Sequence, residues 1–313
     1  MMEWVRGEWL GNGSFGCVSK ALLTRNSLSG HYLPSLMAVK SSPANQSDSL
    51  KNEKEVLDRI GSCRHIIRSF GTDISVENGE KIYNLFLEFA AGGTLADQVK
   101  KNGGRLPESD IRKYTRAILE GLSVIHAKGF VHCDIKPQNI LVFEGGVVKI
   151  ADFGLAKEKA AKQTKGELRG TAQYIAPESA SADEYGPACD VWALGLVVAE
   201  MATGKMAWAR QAGSNVWRLL VLLSDGEELP DIPDELSEEG RDFLSKCFVK
   251  DPVKRWTAEM LLHHAFVADH DLADSECDRR TVLLGEDHGV NMFSTTSTLT
   301  SLSSSSIPVL SEL

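Results

Sequence analysis

Cysteine is scarce and scattered in this 313-residue chain: its six thiols, at positions 17, 63, 133, 189, 247 and 277, form no CxxC pair and no metal-ligand spacing. Neither a disulfide framework nor a zinc site is suggested, and a reducing compartment fits best. Long apolar runs are missing too. The strongest, "VWALGLVVA" at 191–199, is too short to span a bilayer, and the opening "MMEWVRGEW" lacks the apolar stretch of a secretory leader. Basic residues are outnumbered, 34 against 43 acidic ones for a net charge of -9, which disfavours attraction to nucleic acid or to anionic membranes. The expectation is a cytosolic protein, with the nucleus as a second location, that binds neither nucleic acid nor membrane. Nothing in the sequence sets its oligomeric state.

What is present is enough apolar material, 42% of residues, to bury a substantial core. From Trp4 to about Met37, apolar and polar residues alternate around glycines, which predicts a hairpin, and "LMAVK" (36–40) predicts a third strand. In "SLKNEKEVLDRI" (49–60), Leu50, Glu53, Leu57 and Ile60 recur at helical intervals and share one face. "IIRSF" (66–70) and "YNLFLEF" (83–89) predict further strands, and "AAGGTL" breaks the chain before the sequence turns helical. There Ile111, Tyr114, Ile118, Leu122 and Ile125 mark an amphipathic helix, opened by Pro107 and the acidic residues after it. Segment 188–202 is apolar all round, as a helix inside a lobe must be, and two more helices are expected at 214–224 and 237–247. The fold class expected is α+β: a small β-rich lobe over about 4–89 with one key helix, and a larger helical lobe over about 92–267. The acidic and hydroxyl-rich stretch 268–313 cannot bury enough apolar surface to offset ordering and is expected to be a flexible tail.

Chemistry begins at "GNGSFGCV" (11–18). Glycines at 11, 13 and 16 between two strands would let backbone N–H groups approach a triphosphate, although a glycine-rich turn has the same spelling. Lys40 ends an apolar strand and can reach phosphates as a point charge, given an anion to hold it. Glu53 is the choice over Glu55, because Glu53 lies on the helix face shared with Leu50, Leu57 and Ile60; a solvated glutamate is the alternative. In "VHCDIKPQN" (131–139), Asp134 can accept or orient a hydroxyl proton, Lys136 can neutralise a moving phosphoryl group, and Asn139 can offer Mg²⁺ a neutral oxygen. Asp152 of "DFG" supplies the anionic oxygen that Mg²⁺ prefers. H-x-D-x-K-x-x-N fixes four residue types, which chance meets on the order of once in a hundred thousand positions.

With these motifs the sequence resembles the eukaryotic protein kinases over about residues 4 to 267. The resemblance implies a bilobal kinase fold and transfer of the γ-phosphate of ATP, with Mg²⁺, to protein hydroxyls. It implies a nucleotide site made by Leu10, Gly11, Asn12, Gly13, Ser14, Phe15, Gly16, Val18, Ala38, Lys40, Glu53, Leu141, Asn139 and Asp152, with Glu88 and Ala90 offering backbone hydrogen bonds to the base and Leu87 at the back of the pocket. Asp134, Lys136 and Lys40 would be catalytic, and Asn139 and Asp152 would hold the metal. Asp190 would anchor the catalytic loop and Arg255 would pair with Glu178 of "APE". Lys136 and "GTAQYIAPE" (170–178), with Thr171 near Asp134 and Lys136, point to serine and threonine as acceptors. The ensemble "VHCDIKPQNILV", "VKIADFGLAK" and "WVRGEWLGNGSFGCV" is most similar to plant MAP kinase kinase kinases of the MEKK-like group, which implies MAP kinase kinases as substrates. Pro137 and "GTAQYIAPE" depart from the "CDIKGQN" and "GTPEYMAPE" of that group. A kinase of another signalling pathway, a pseudokinase scaffold and a small-molecule kinase are the rival readings. Cys133 stands where many kinases place arginine before the catalytic aspartate, so phosphorylation of Thr164 is expected to be less decisive here.

Overall fold

The computed structural model describes residues 3–13, 15–25, 33–161, 168–182, 184–208, 215–225 and 228–268. Ser14, Thr164, Cys277 and the hydroxyl-rich stretch therefore lie outside the described residues. The chain divides into two units, Met1–Ala268 and Asp269–Leu313, and the first has the α+β, two-lobed architecture expected.

The small lobe is one antiparallel sheet of order β1-β2-β3-β5-β4, built from β1 (Glu3–Gly13), β2 (Gly16–Arg25), β3 (Leu36–Pro43), β4 (Ser69–Glu77) and β5 (Glu80–Leu87). Helix α1 (Asp48–Ile60) connects β3 to β4 and buries Leu50, Glu53, Val56, Leu57 and Ile60 on one face, the face that its spacing predicted. Alternation along β3 and β5 splits their side chains between two cores. Ala38, Leu85 and Leu87 join the main core with α1, whereas Ala21, Met37, Val39 and Phe86 form a second cluster on the other face.

That second face is covered because β1 bends across it. Trp4 meets Phe86 edge-on at 5.0 Å and donates its indole N–H to Asp73 at 3.0 Å. Arg6 donates to Ser41 Oγ at 2.9 Å, Asn84 Oδ1 at 2.9 Å and Glu77 Oε1 at 2.7 Å. Register shifts in the β1–β2 pairing between Arg6 and Gly11 supply the bend.

The large lobe contains α2 (Leu95–Lys101), α3 (Glu108–Ala127), α4 (Pro177–Ala182), α5 (Pro187–Thr203), α6 (Val216–Asp225), α7 (Glu238–Cys247) and α8 (Ala258–Leu262). Thr94 and Asp97 close a reciprocal capping box at the start of α2. Helix α5 is buried almost throughout, as its largely apolar composition required, and Asp190 is buried with it. Two short ribbons lie near the cleft: β6 (Phe130–Val131) pairs with β9 (Lys157–Glu158), and β7 (Ile140–Val142) with β8 (Val148–Ile150).

One strand expectation was misplaced. Ile66 and Ile67 are buried but lie in a connection, where Ile66 bridges Ile150 and Ile67 N–H donates to the Ile150 carbonyl at 2.9 Å. Strand β4 starts only at Ser69, in a polar stretch of the sheet's edge. Burial against the large lobe, not strand pairing, accounts for the apolar pair. No helix among the described residues is long and apolar enough to cross a membrane.

Candidate active site

The β1–β2 turn comes first. Gly13 pairs with Gly16 across it, and a Cβ on Gly16 would stand 2.3 Å from the Ser41 carbonyl oxygen, so the close approach of β3 requires glycine there. A Cβ on Gly13 would come within 3.3 Å of Lys40 Cε, while Gly11 has open space around the same point. Packing thus requires glycine at 16 and crowds a Cβ at 13, and only Gly11 has open space around it. The Phe15 ring reaches inward, 5.9 Å from Lys40 Nζ.

Lys40 is the centre of a buried charge cluster. Its Nζ lies 2.8 Å from Glu53 Oε2 and 2.7 Å from Asp152 Oδ1. Burial opposes the ammonium charge, but the two carboxylates outweigh it and hold the Lys40 pKa above its ordinary range. Burial, helped by the charge of Asp152, pushes the Glu53 carboxyl up against the pull of Lys40. Burial acts on Asp152 in the same sense, yet Lys40 holds that carboxyl below the usual range. Glu55, the glutamate passed over, is exposed and lies 3.7 Å from Arg59.

The catalytic-loop candidates converge as a second cluster. Lys136 Nζ lies 2.7 Å from Asp134 Oδ2 and donates to Thr171 Oγ1 at 2.8 Å. The Thr171 hydroxyl in turn donates to Asp134 Oδ1 at 2.7 Å. Asn139 donates its amide N–H₂ to the Asp134 carbonyl at 2.8 Å and to Asp134 Oδ2 at 2.9 Å. The loop is held from below by Asp190 on α5, which accepts from the backbone N–H of His132 and of Cys133, each at 2.9 Å, and pairs with His126 Nε2 at 2.9 Å. Burial would raise the Asp190 pKa, but the hydrogen bond and charge of His126 and the backbone donors hold it down. Cys133 adopts a left-handed φ of 67°, a conformation that surrounding structure must impose on an L-residue. Its thiol is buried beside that of Cys189, whose pKa is pushed well up by the hydrogen bond to Cys133, burial and the nearby Asp190.

The two clusters meet through the backbone: Ala151 N–H donates to the Asn139 carbonyl at 2.8 Å, one residue before Asp152. Beyond them, Val18, Ala38, Leu87 and Leu141 are buried or half-buried, and Leu10 is exposed at the rim beside Asn12. The chain segment linking the lobes is clamped to β7, with Gly92 N–H donating to the Val142 carbonyl and Val142 N–H to the Gly93 carbonyl. Glu88 spends its N–H on the Arg68 carbonyl and its carboxylate on Lys149. The Ala90 carbonyl accepts from Gly93 N–H. A cavity of about 390 Å³ elsewhere in the large lobe, lined by Arg105, Pro107, Ile111 and Leu236 among others, contains none of these residues.

Several contributors escaped the sequence. His126, Asn52 and the Arg6–Ser41–Asn84 network have no local pattern that marks them. His132 belonged to the motif, but its packing could not be read: its ring meets Phe153 edge-on at 4.8 Å. Glu178 and Arg255 do pair, through two contacts at 2.7 and 2.9 Å.

Comparison with known proteins adds an independent line. The protein kinase domain family matches residues 4–267. Mitogen-activated protein kinase kinase kinase 20 of Arabidopsis thaliana is 54% identical over 296 residues, covering 93% of this chain and 85% of its own length. Mitogen-activated protein kinase kinase kinases 17 and 18 of the same plant are 41% and 40% identical, covering 85% and 86% of this chain and 70% and 79% of their own lengths.

Proposed function

The chain belongs to the protein kinase family and is an ATP-dependent serine/threonine kinase, and we propose that it acts as a MAP kinase kinase kinase whose substrates are MAP kinase kinases. The substrate assignment draws on the names of its relatives, which share up to 54% of its residues over nearly its whole length. The observation that carries the chemistry is the juxtaposition of Lys40–Glu53–Asp152 with Asp134–Lys136–Thr171–Asn139.

Each side chain has a part. Lys40, held by Glu53, aligns the nucleotide phosphates, and Asp134 orients the acceptor hydroxyl and takes its proton. Lys136 offsets charge on the transferring group. Val18, Ala38 and Leu141 sandwich the base, and Glu88 and Ala90 meet its edge. Asn139 and Asp152 suit a magnesium ion: the Asn139 N–H₂ is engaged by Asp134, which turns its carbonyl oxygen away from that residue, and Asp152 has one carboxylate oxygen on Lys40 and a second besides. Two such ligands fit a metal that takes most of its remaining oxygens from phosphates and water. When bound, the ion would neutralise phosphate charge. The cytosol is the proposed compartment, in keeping with widely spaced cysteines.

The test is transfer of labelled phosphate from ATP to purified MAP kinase kinases, with a generic basic protein beside them. Asp134→Asn should lower kcat by about 10²–10⁴-fold while nucleotide affinity stays close to that of the parent. Equal labelling of the generic protein and the MAP kinase kinases would reject the substrate assignment, and undiminished turnover by Asp134→Asn would reject the role of Asp134.

A further inference from the structure

We infer that Asn52 is a positioning residue for phosphoryl transfer: its side-chain amide ties α1 to the backbone that follows Asp152, and so keeps Glu53 and Asp152 together on Lys40. The inference deepens the kinase reading and concerns the same site.

Asparagine is a weak helix former because its side chain competes for nearby backbone groups. In α1, however, the Asn52 amide reaches backbone distant in sequence. Its Nδ2 donates to the carbonyls of Phe153 at 3.3 Å, Gly154 at 3.2 Å and Ala156 at 2.9 Å. Three converging acceptors fix the orientation of the amide, since only its N–H₂ can face them. The three carbonyls belong to a tight 3-10 turn, Phe153–Leu155, and to the residue that ends it. Directly before the turn, Asp152 has φ 64° and ψ 72°. That left-handed conformation aims its carboxylate at Lys40, and it needs support from both sides. Lys40 supplies support through the side chain. Glu53 accepts from Phe153 N–H at a long 3.3 Å. Asn52, one residue earlier on the helix, supplies the donors for the carbonyls.

The contact is close as well as polar. A Cβ on Gly154 would stand 2.3 Å from Ser49 Oγ and 2.9 Å from the Phe15 ring, so the Ser49 side chain of α1 packs directly on the Gly154 backbone. At the other end of the helix, Arg59 hydrogen-bonds Glu158 of β9 and lies over the Phe130 ring at 4.6 Å. Helix α1 is therefore fastened along its length to the segment 153–158 that follows Asp152. Cys133 makes this matter, because the residue before Asp134 offers no cation to secure the segment from the catalytic loop.

A residue that merely satisfied carbonyls would affect stability alone. A positioning residue must also alter the use of the Mg²⁺ that Asp152 would hold. The experiment compares the parent chain with Asn52→Leu, which keeps the size and loses the donors, and with Asn52→Gln, which keeps the amide. In nucleotide-free protein, hydrogen exchange of peptides spanning 153–158 should accelerate about tenfold in Asn52→Leu, in line with loss of the Asn52 N–H₂ donors, with α5 unchanged. In turnover, kcat should fall about tenfold and the half-saturating Mg²⁺ should rise several-fold, with KM for the protein substrate unchanged and partial recovery in Asn52→Gln. Unchanged exchange at 153–158 would overturn the inference, as would faster exchange with kcat and Mg²⁺ dependence like the parent. Absence of turnover by the parent itself would count against the kinase reading, and the exchange result would still decide whether Asn52 holds the turn.

Discussion

Thr171 closes the catalytic cluster at the scale of single residues. Without its hydroxyl, Asp134 Oδ1 loses its short hydrogen bond and Lys136 keeps only its contact with Oδ2. The aspartate could then rotate toward Lys136, away from an incoming hydroxyl. A charge-assisted hydrogen bond contributes about 1.5–3 kcal/mol, so Thr171→Val should reduce kcat by roughly 10–100-fold, while Thr171→Ser, which keeps the hydroxyl, should stay near the parent. Steady-state rates at saturating ATP measure both. Equal losses in the two variants would mean that the methyl group, not the hydroxyl, matters. Thr171 also shows what the sequence disclosed. Its nearness to Asp134 and Lys136 was expected through the resemblance of "GTAQYIAPE", not through any spacing within the chain. Asp134, Lys136 and Asn139 were legible because they share one loop, whereas His126 was not, since its partner Asp190 is 64 residues away.

Among the elements, α5 carries the catalytic loop. Asp190 in its first turn collects two backbone N–H groups and His126 at the core of the large lobe. A carboxylate so placed has a folded-state pKa below its unfolded value near 3.9. Its contribution to stability is therefore present above about pH 4 and lost as the pH falls through the folded-state value. Asp190→Asn cannot accept the same set of bonds, and leaving a buried donor unpaired costs about 1–3 kcal/mol. Denaturant unfolding at pH 7 should show the variant clearly less stable, and the gap to the parent should narrow as the pH drops below about 4. A gap independent of pH would mean that the charge of Asp190 contributes nothing. Elements were read well where one pattern governs them: the faces of α1 and α3 follow from spacing, and the burial of α5 from its largely apolar composition. The placement of β4 did not, because the buried Ile66–Ile67 pair imitates a strand and the true edge strand is polar.

For the whole molecule, the question is what keeps both lobes in register for catalysis. Lys40 comes from β3, Glu53 from α1 and Asp152 from the large lobe, so one buried ammonium joins the two halves. The sequence held these three residues as motif members. It did not hold the Arg6–Ser41–Asn84 network that steadies β3 beside Lys40, whose members lie 35 to 78 residues apart. The register also depends on the segment from Asp152 to Glu178, and here Cys133 stands where many kinases place arginine. An arginine before the catalytic aspartate would be a buried charge until a phosphate paired with it. Cys133 places a thiol there, bonded to the Val131 carbonyl and packed against Cys189, with its backbone held by Asp190. A phosphate on Thr164 would thus find no cation at that position, and the segment is already tied to α1 by Asn52 and Arg59. Treatment of the full chain with a protein phosphatase should leave at least about half of its kinase activity, and Thr164→Ala should behave alike, whereas a loss on the order of 100-fold is the signature of a segment ordered by phosphate. Such a loss would overturn the expectation that Cys133 makes phosphorylation of Thr164 less decisive.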